Sequence, residues 1–441
     1  MSNSFFRRLF GSLLLLLGLC SVGQAQSYLH RLRTDAVSSD LPEASRLEAL
    51  YGLSDFYFNR YGPWGNPDSS LFFAQQYQEQ ASAAGDPYHL IRSYLQKGNA
   101  LLFLQKPVEA QRAYDQGQVL MQQHNFADLE IDLAWGKGQV YYFRESPNLD
   151  SIHIYFQRAL DLSQTQRDHA RQARSLQFLG RSIFAWTPRK DSNQYFDFLS
   201  QALALGVDEQ AGVWPALAAI NLANYYFSLN QDSLALSYLD QAYGALNRVQ
   251  GDANLAKGLP FFMWLEQNAY DRGLYDLSMR CLKKIVELAP RFDLSWLKTR
   301  ALFDLGLHFE SDYNLSLFYY QWCEAYSDSV ADSEHQVLAR NNLGNVYKSN
   351  EDLERALRYY EEGDSILMVY LSEEGFQNTS GRGIANLCSP TLNAGDLYLD
   401  RKEFERARHK YFNAWRFTRK WGQGYDQAVV INGLVNLFEK A

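Results

Sequence analysis

Five primary amides, Asn99, Gln139, Asn224, Gln267 and Asn345, stand along this 441-residue chain one or two steps of roughly forty residues apart. A primary amide carries both a donor and an acceptor, so a row of them can pair with the main chain of an extended ligand whatever that ligand's sequence. The same spacing brings Asp55, Arg181, Leu307 and Asp396 into the row. Arg181 is its one cation, suited to a carboxylate. Three residues after the first six members stand Phe58, Leu102, Tyr142, Phe184, Phe227 and Tyr270, large side chains able to take a ligand's apolar groups. The pattern is one of non-covalent capture. An ordinary structural stripe fits it too, because aromatics make up 15% of the chain and could fill space between neighbouring helices.

The other polar residues form no catalytic set. The eight histidines (His30, His89, His124, His153, His169, His308, His335 and His409) show no paired metal spacing and are expected at surfaces and helix caps. There is no G-x-S-x-G elbow, phosphate loop or H-E-x-x-H. The adjacent acids Glu361-Glu362 and Glu373-Glu374 point in different directions on a helix, which suits a solvated face better than acid/base work. Cys281, Cys323 and Cys388 are an odd, widely spaced set, expected as small core residues rather than disulfides or zinc ligands. The chain is therefore expected to be no enzyme and to need no cofactor or metal.

The elements that would position the row follow from a second pattern. Just before each of its members lies Ser54, Gly98, Gly138, Gly180, Ala223, Glu266, Gly306, Gly344 or Gly395, at steps of 38 to 51 residues. In the clearest copies a large residue follows three positions later (Leu101, Tyr226, Tyr347, Tyr398) and a second small residue about twelve positions on (Ala110, Ala235, Ala356, Ala407). Two antiparallel helices approach most closely where both present small residues, and Tyr114, Leu239, Tyr360 and Tyr411 are placed to fill the space beside that crossing. A helical hairpin repeated at such a period cannot bury its apolar face alone and must stack on its neighbours. Period-2 runs of β-branched residues are lacking, so strands are not expected. Helix starts are expected at Asp68, Asp150, Asp191 and Asp232, and an irregular loop over Glu373 to Thr391.

This pattern resembles the tetratricopeptide repeat, best in Leu343, Gly344, Tyr347, Ala356 and Tyr360, and again in Gly395, Tyr398, Ala407, Tyr411 and Ala414. The resemblance implies an all-α fold, a right-handed superhelical solenoid of about nine stacked antiparallel hairpins over 47–424. It also implies that Asn99, Gln139, Arg181, Asn224, Gln267 and Asn345, with Phe58, Tyr142, Phe184, Phe227 and Tyr270, line a concave peptide-binding groove. The sixth repeat departs from the family, because Glu266 replaces the small residue although Ser278 and Pro290 fall where they should.

The N-terminus is a separate signal. Arg7 and Arg8 precede the apolar Leu13 to Leu17, and Gly23-Gln24-Ala25 offers small residues to a signal peptidase. Residues 1–25 are expected to be a signal peptide cleaved before Gln26, and 26–46 a lead-in. Lipidation at Cys20 is disfavoured, because Leu19 stands where a small residue is wanted. Without Arg7 and Arg8 the chain has 40 basic and 50 acidic residues, a net charge of −10, and no basic run. Nucleic-acid binding is thereby disfavoured, and no second apolar stretch supports stable membrane insertion. The expectation is an exported, periplasmic or secreted scaffold with a protein or peptide partner. Its oligomeric state is not legible.

An alternative class follows from the last segment, 425–441. Ile431, Leu434, Val435 and Phe438 match the first helix of a tenth repeat, as either a capping helix or a truncated repeat. On the second view the chain is the periplasmic sensory module of a larger signalling protein of histidine kinase, transcriptional regulator or caspase-like peptidase type.

Overall fold

The computed structural model describes residues 27–58, 65–124, 126–144, 146–186, 192–208, 211–371, 384–422 and 424–440. The proposed signal peptide, with Arg7, Arg8 and Cys20, lies outside them. Among the described residues there are helices and no strand.

A first helix, α1 (Tyr28–Val37), falls within the segment assigned as a lead-in. Hairpins follow: α2 (Glu43–Tyr57) with α3 (Pro67–Ala84), α4 (Pro87–Phe103) with α5 (Pro107–Met121), α6 (Ala127–Tyr142) with α7 (Leu149–Thr165), and α8 (His169–Trp186) with α9 (Ser192–Ala204). Next come α10 (Trp214–Ser228) with α11 (Asp232–Arg248), α12 (Asp252–Asp271) with α13 (Tyr275–Leu288), and α14 (Ser295–His308) with α15 (Tyr313–Ser329). The last are α16 (Ser333–Ser349) with α17 (Leu353–Tyr370), then, after the short α18 (Ile384–Leu387), α19 (Ser389–Asp400) with α20 (Phe404–Trp421), and a final helix α21 (Gly424–Lys440). The chain divides into two compact units, one of 1–221, 248–257 and 291–293, the other of 222–247, 258–290 and 294–441.

Local chemistry sets the helix ends, though not always at the expected residue. Asn66 and Asn148 cap α3 and α7, each accepting from a backbone N–H at 2.8 Å, while Asp68 and Asp150 sit inside the first turn, where a carboxylate meets the positive end of the helix dipole. Asp232 is likewise the first residue of its helix, and Asp191 lies outside the described residues. Clear aspartate caps occur on first helices, at Asp86 and Asp332, and on second helices, at Asp312 and Asp352. Part of the expected 373–391 loop is helical: α18 and the start of α19 lie in it, and Leu387 and Cys388 are buried, which anchors the segment to the core.

In the first unit the crossing works as a sandwich. Tyr114 is fully buried between Gly98 of its own hairpin and Gly136 of the next, and a Cβ at either glycine would lie 2.6 Å from its ring. In the second unit Tyr411 sits in the same way between Gly395 and Gly433. A second device, absent from the sequence reading, closes the hairpin tips. Tyr57/Phe73, Tyr141/Tyr155, Tyr226/Tyr238, Phe309/Tyr319 and Tyr347/Tyr359 are stacked ring pairs at 5.4–5.7 Å, within 13° of parallel. Each joins the residue three positions after the first helix's small residue to an aromatic of the second helix. Between hairpins eight and nine, Lys410 donates to Glu361 at 2.7 Å and to buried Asp364, which also accepts from Thr391.

Candidate functional site: the first-helix faces of the hairpins

The expected row falls into both units. Asn99, Gln139, Arg181, Phe58, Tyr142 and Phe184 belong to the first, and Asn224, Gln267, Asn345, Phe227 and Tyr270 to the second.

In the first unit, residues six and three positions before each crossing residue form a pattern that the sequence reading missed. Six before stand Glu48, Arg92, Asp132 and Arg174, alternating in sign from hairpin to hairpin. Arg92 pairs with Glu48 and lies 3.5 Å from the ring centroid of Tyr51. Arg174 pairs with Asp132 at 2.7 Å and lies 4.2 Å from Trp135. Each arginine thus crosses to the acid and aromatic of the preceding hairpin, three residues apart on one helix face. Arg171 adds a second bond to Asp132 at 2.7 Å. Burial alone would raise the Asp132 carboxyl, but Arg174 and Arg171 outweigh it and hold it well below the usual carboxylate range. The signal was available: applying the same register at six and three positions before the small residue would have found both clamps.

Beside the second clamp, five buried polar atoms have no partner among the described residues: Trp135 Nε1, Gln139 Oε1, Arg174 Nε, and Oε1 and Nε2 of Gln177. Gln139 is 2% exposed and Gln177 fully buried. An unpaired buried polar group costs about 1–3 kcal/mol, so this stretch of α6 and α8 is poorly satisfied as it stands. Arg181, one turn beyond Gln177, is half-buried and has no ion pair among the described residues.

The other row members differ in how far they are committed. Asn99 accepts from the Tyr114 hydroxyl at 2.7 Å, and Asn345 from Tyr360 at 2.7 Å and Asn393 at 3.3 Å. Asp396 does the same for Tyr411. At these rungs the row holds its own hairpin's core tyrosine. At the first rung, Lys257 takes Asp55 at 2.8 Å. Asn224 and Gln267 are exposed, and Gln267 donates to Asp271 at 2.8 Å. Among the large residues, Phe58 packs edge-on to Phe103 and Tyr142 to Phe178, while Phe227 lies under the Arg272 guanidinium at 3.9 Å. Tyr270 is 43% exposed and meets Tyr275 and His308 edge-on. The side chain of Phe184 lies outside the description.

Two histidines expected at the surface are buried: His89 bonds the Tyr77 hydroxyl at 2.7 Å and His335 bonds Asp332 at 2.9 Å. Cys281, Cys323 and Cys388 are buried. Among the described residues no group of His, Cys, Asp or Glu is placed to hold a metal, and no helix is long and apolar enough to cross a membrane.

Residues 338–366, spanning α16 and α17, match the family described as tetratricopeptide repeat. No curated protein matches the chain. Solved structures similar to it include a signal-transduction ATPase with a tetratricopeptide repeat sensor from Pyrococcus horikoshii, at 14% identity and a TM-score of 0.44 over 93% of this chain. This chain spans 64% of that protein. Aspartyl phosphate phosphatase F from Bacillus subtilis matches at 14% identity and a TM-score of 0.32, over 85% of this chain and 94% of its own. The yeast Tom70 matches at 12% identity and 0.26, over 90% and 97%. Residues 338–366 are thus similar to a tetratricopeptide repeat, and hairpins before and after them carry the same small-residue crossing.

Proposed function

We propose that the protein is an exported, non-enzymatic interaction scaffold that binds an extended peptide segment along the first-helix faces of its hairpins. The observation that carries this is the set of buried polar atoms on Trp135, Gln139, Arg174 and Gln177 that have no partner among the described residues, beside Arg181, which has no ion pair among them. It mixes donors and acceptors, as a peptide main chain does, and pairing with one would recover what their burial costs. Arg181 is the point for a carboxylate. In the first unit Tyr142, Phe184 and Phe58 would take apolar side chains; in the second, Phe227 and Tyr270 would do so and Asn224 and Gln267 would offer amides. Asn99 and Asn345 keep one amide N–H each for a ligand, because their oxygens hold tyrosines and their amide nitrogens already donate to Gln96 and Asn342.

The test is capture from a cell-envelope extract by the wild type beside Gln139→Ala/Gln177→Ala/Arg181→Ala, with circular dichroism showing both folded. Partners held by the wild type and lost by the variant are expected. Equal capture by both would overturn the reading. The sensory-module alternative draws on one observation, the apolar side of α21, where Ile431, Val435 and Phe438 are 44%, 46% and 71% exposed while Val430 and Leu437 are buried. Detection of the native protein at a mass well above 50.8 kDa would favour it.

A further inference from the structure

The crossing of the sixth hairpin breaks the rule of the others. Where they place a small residue, α12 carries Glu266, 8% exposed. Its partner across the crossing is fully buried Ser278 of α13, whose hydroxyl donates to Glu266 Oε1 at 2.9 Å. The same hydroxyl lies 2.7 Å from Nε2 of His308, at the end of α14. A hydroxyl has one proton, so while it donates to the carboxylate it must accept from His308, which fixes the imidazole proton on Nε2.

We infer that Glu266, Ser278 and His308 form a proton-operated switch that decides whether His308 offers an acceptor or a donor beside Gln267 and Tyr270. When one proton is added to Glu266, its carboxyl O–H donates to the Ser278 oxygen. The Ser278 hydroxyl then turns to donate to His308 Nε2. That nitrogen gives up its proton to solvent, Nδ1 takes one from solvent, and the net change is the single proton on Glu266. Nδ1, which has no partner among the described residues, passes from acceptor to donor. It lies on a ring packed edge-on to Tyr270 at 5.1 Å and Tyr275 at 5.8 Å, both exposed.

The surrounding charges suit this exchange. Burial, with Asp304 of α14 and more weakly Asp271 of α12, pushes the Glu266 carboxyl up to about 7, against lowering by Ser278 and Arg300. Cys281 of α13, raised by burial and by the charge of Glu266, also lies near the carboxyl. Burial lowers His308, against Asp304, which favours the neutral imidazole. The consequence for ligand binding rests on the peptide-face reading, whereas the switch itself does not.

The test is NMR of the full chain with isotope-labelled histidine, following the imidazole tautomer from pH 5 to 9, with His308→Asn identifying the resonance. The wild type is expected to move from the Nδ1–H form below about pH 6 to the Nε2–H form above about pH 8. Glu266→Gln, whose amide donates to Ser278 as the protonated acid does, is expected to stay Nδ1–H throughout. An unchanging wild-type tautomer, or the same titration in both proteins, would overturn the switch. A tautomer that changes while captured partners stay the same at pH 6 and pH 8 would leave the switch standing and count against the peptide face at this rung.

Discussion

Hairpins six and eight are built to one plan and differ at one point. In hairpin eight, Gly344 lets the buried ring of Tyr360 lie against the α16 backbone, and the Tyr360 hydroxyl reaches Asn345 at 2.7 Å. Such a crossing is held by shape. In hairpin six the same place is filled by Glu266 and Ser278, with His308 brought in from the next hairpin. Its stability depends on a proton. A repeat array can thus hold a passive joint and a condition-dependent joint in one register, because each hairpin packs mainly on its neighbours.

The largest way to break the comparison is Gly344→Leu. The new side chain would run into the Tyr360 ring, whose surroundings are closed, and should cost hairpin eight about 3 kcal/mol. Hydrogen exchange should show protection lost over 333–421 and kept over 43–204. A single all-or-none unfolding of the variant would contradict a modular array.

Next in size is the pH response of hairpin six. The Glu266 pKa is raised in the folded state, so its contribution to stability is fully present below about pH 4.5 and is lost as the pH rises through about 7. The shift corresponds to about 3 kcal/mol. His308 is shifted down, so its own contribution is lost as the pH falls below about 6.5, which opposes the first. Comparison with Glu266→Gln isolates the carboxylate. The variant should melt near the wild type at pH 5 and several degrees above it at pH 8, and a difference that does not change with pH would argue against a buried titrating acid.

The smallest effect sharpens the passive side. Asn345→Ala removes the acceptor of the Tyr360 hydroxyl and should cost about 1 kcal/mol at every pH between 5 and 8. If Asn345→Ala cost nothing measurable in chemical denaturation, this amide would be no part of the hairpin's support.

Much of the fold was legible because its signal is local and recurs. Gly98, Gly344 and Gly395 mark crossings, and their filling partners Tyr114, Tyr360 and Tyr411 lie sixteen residues on, within the same hairpin. The stacked pairs, such as Tyr347 with Tyr359, were half visible, since the first member was read and the second was not. The Glu48–Arg92 and Asp132–Arg174 clamps were missed because attention stayed on the residue after each small one.

What the sequence alone determined is the hairpin period and the small-against-large complementarity of each crossing, since both depend on residues within one turn or one hairpin of each other. Only the tertiary structure decided which polar atoms remain available. Tyr114 and Tyr360 use up the oxygens of Asn99 and Asn345, while Gln139 and Gln177 are left without partners. Glu266 finds its outlet in His308, two helices away. A hydrogen bond is won or lost over less than an ångström and is made by whichever helix packs alongside, information that a periodic pattern does not carry.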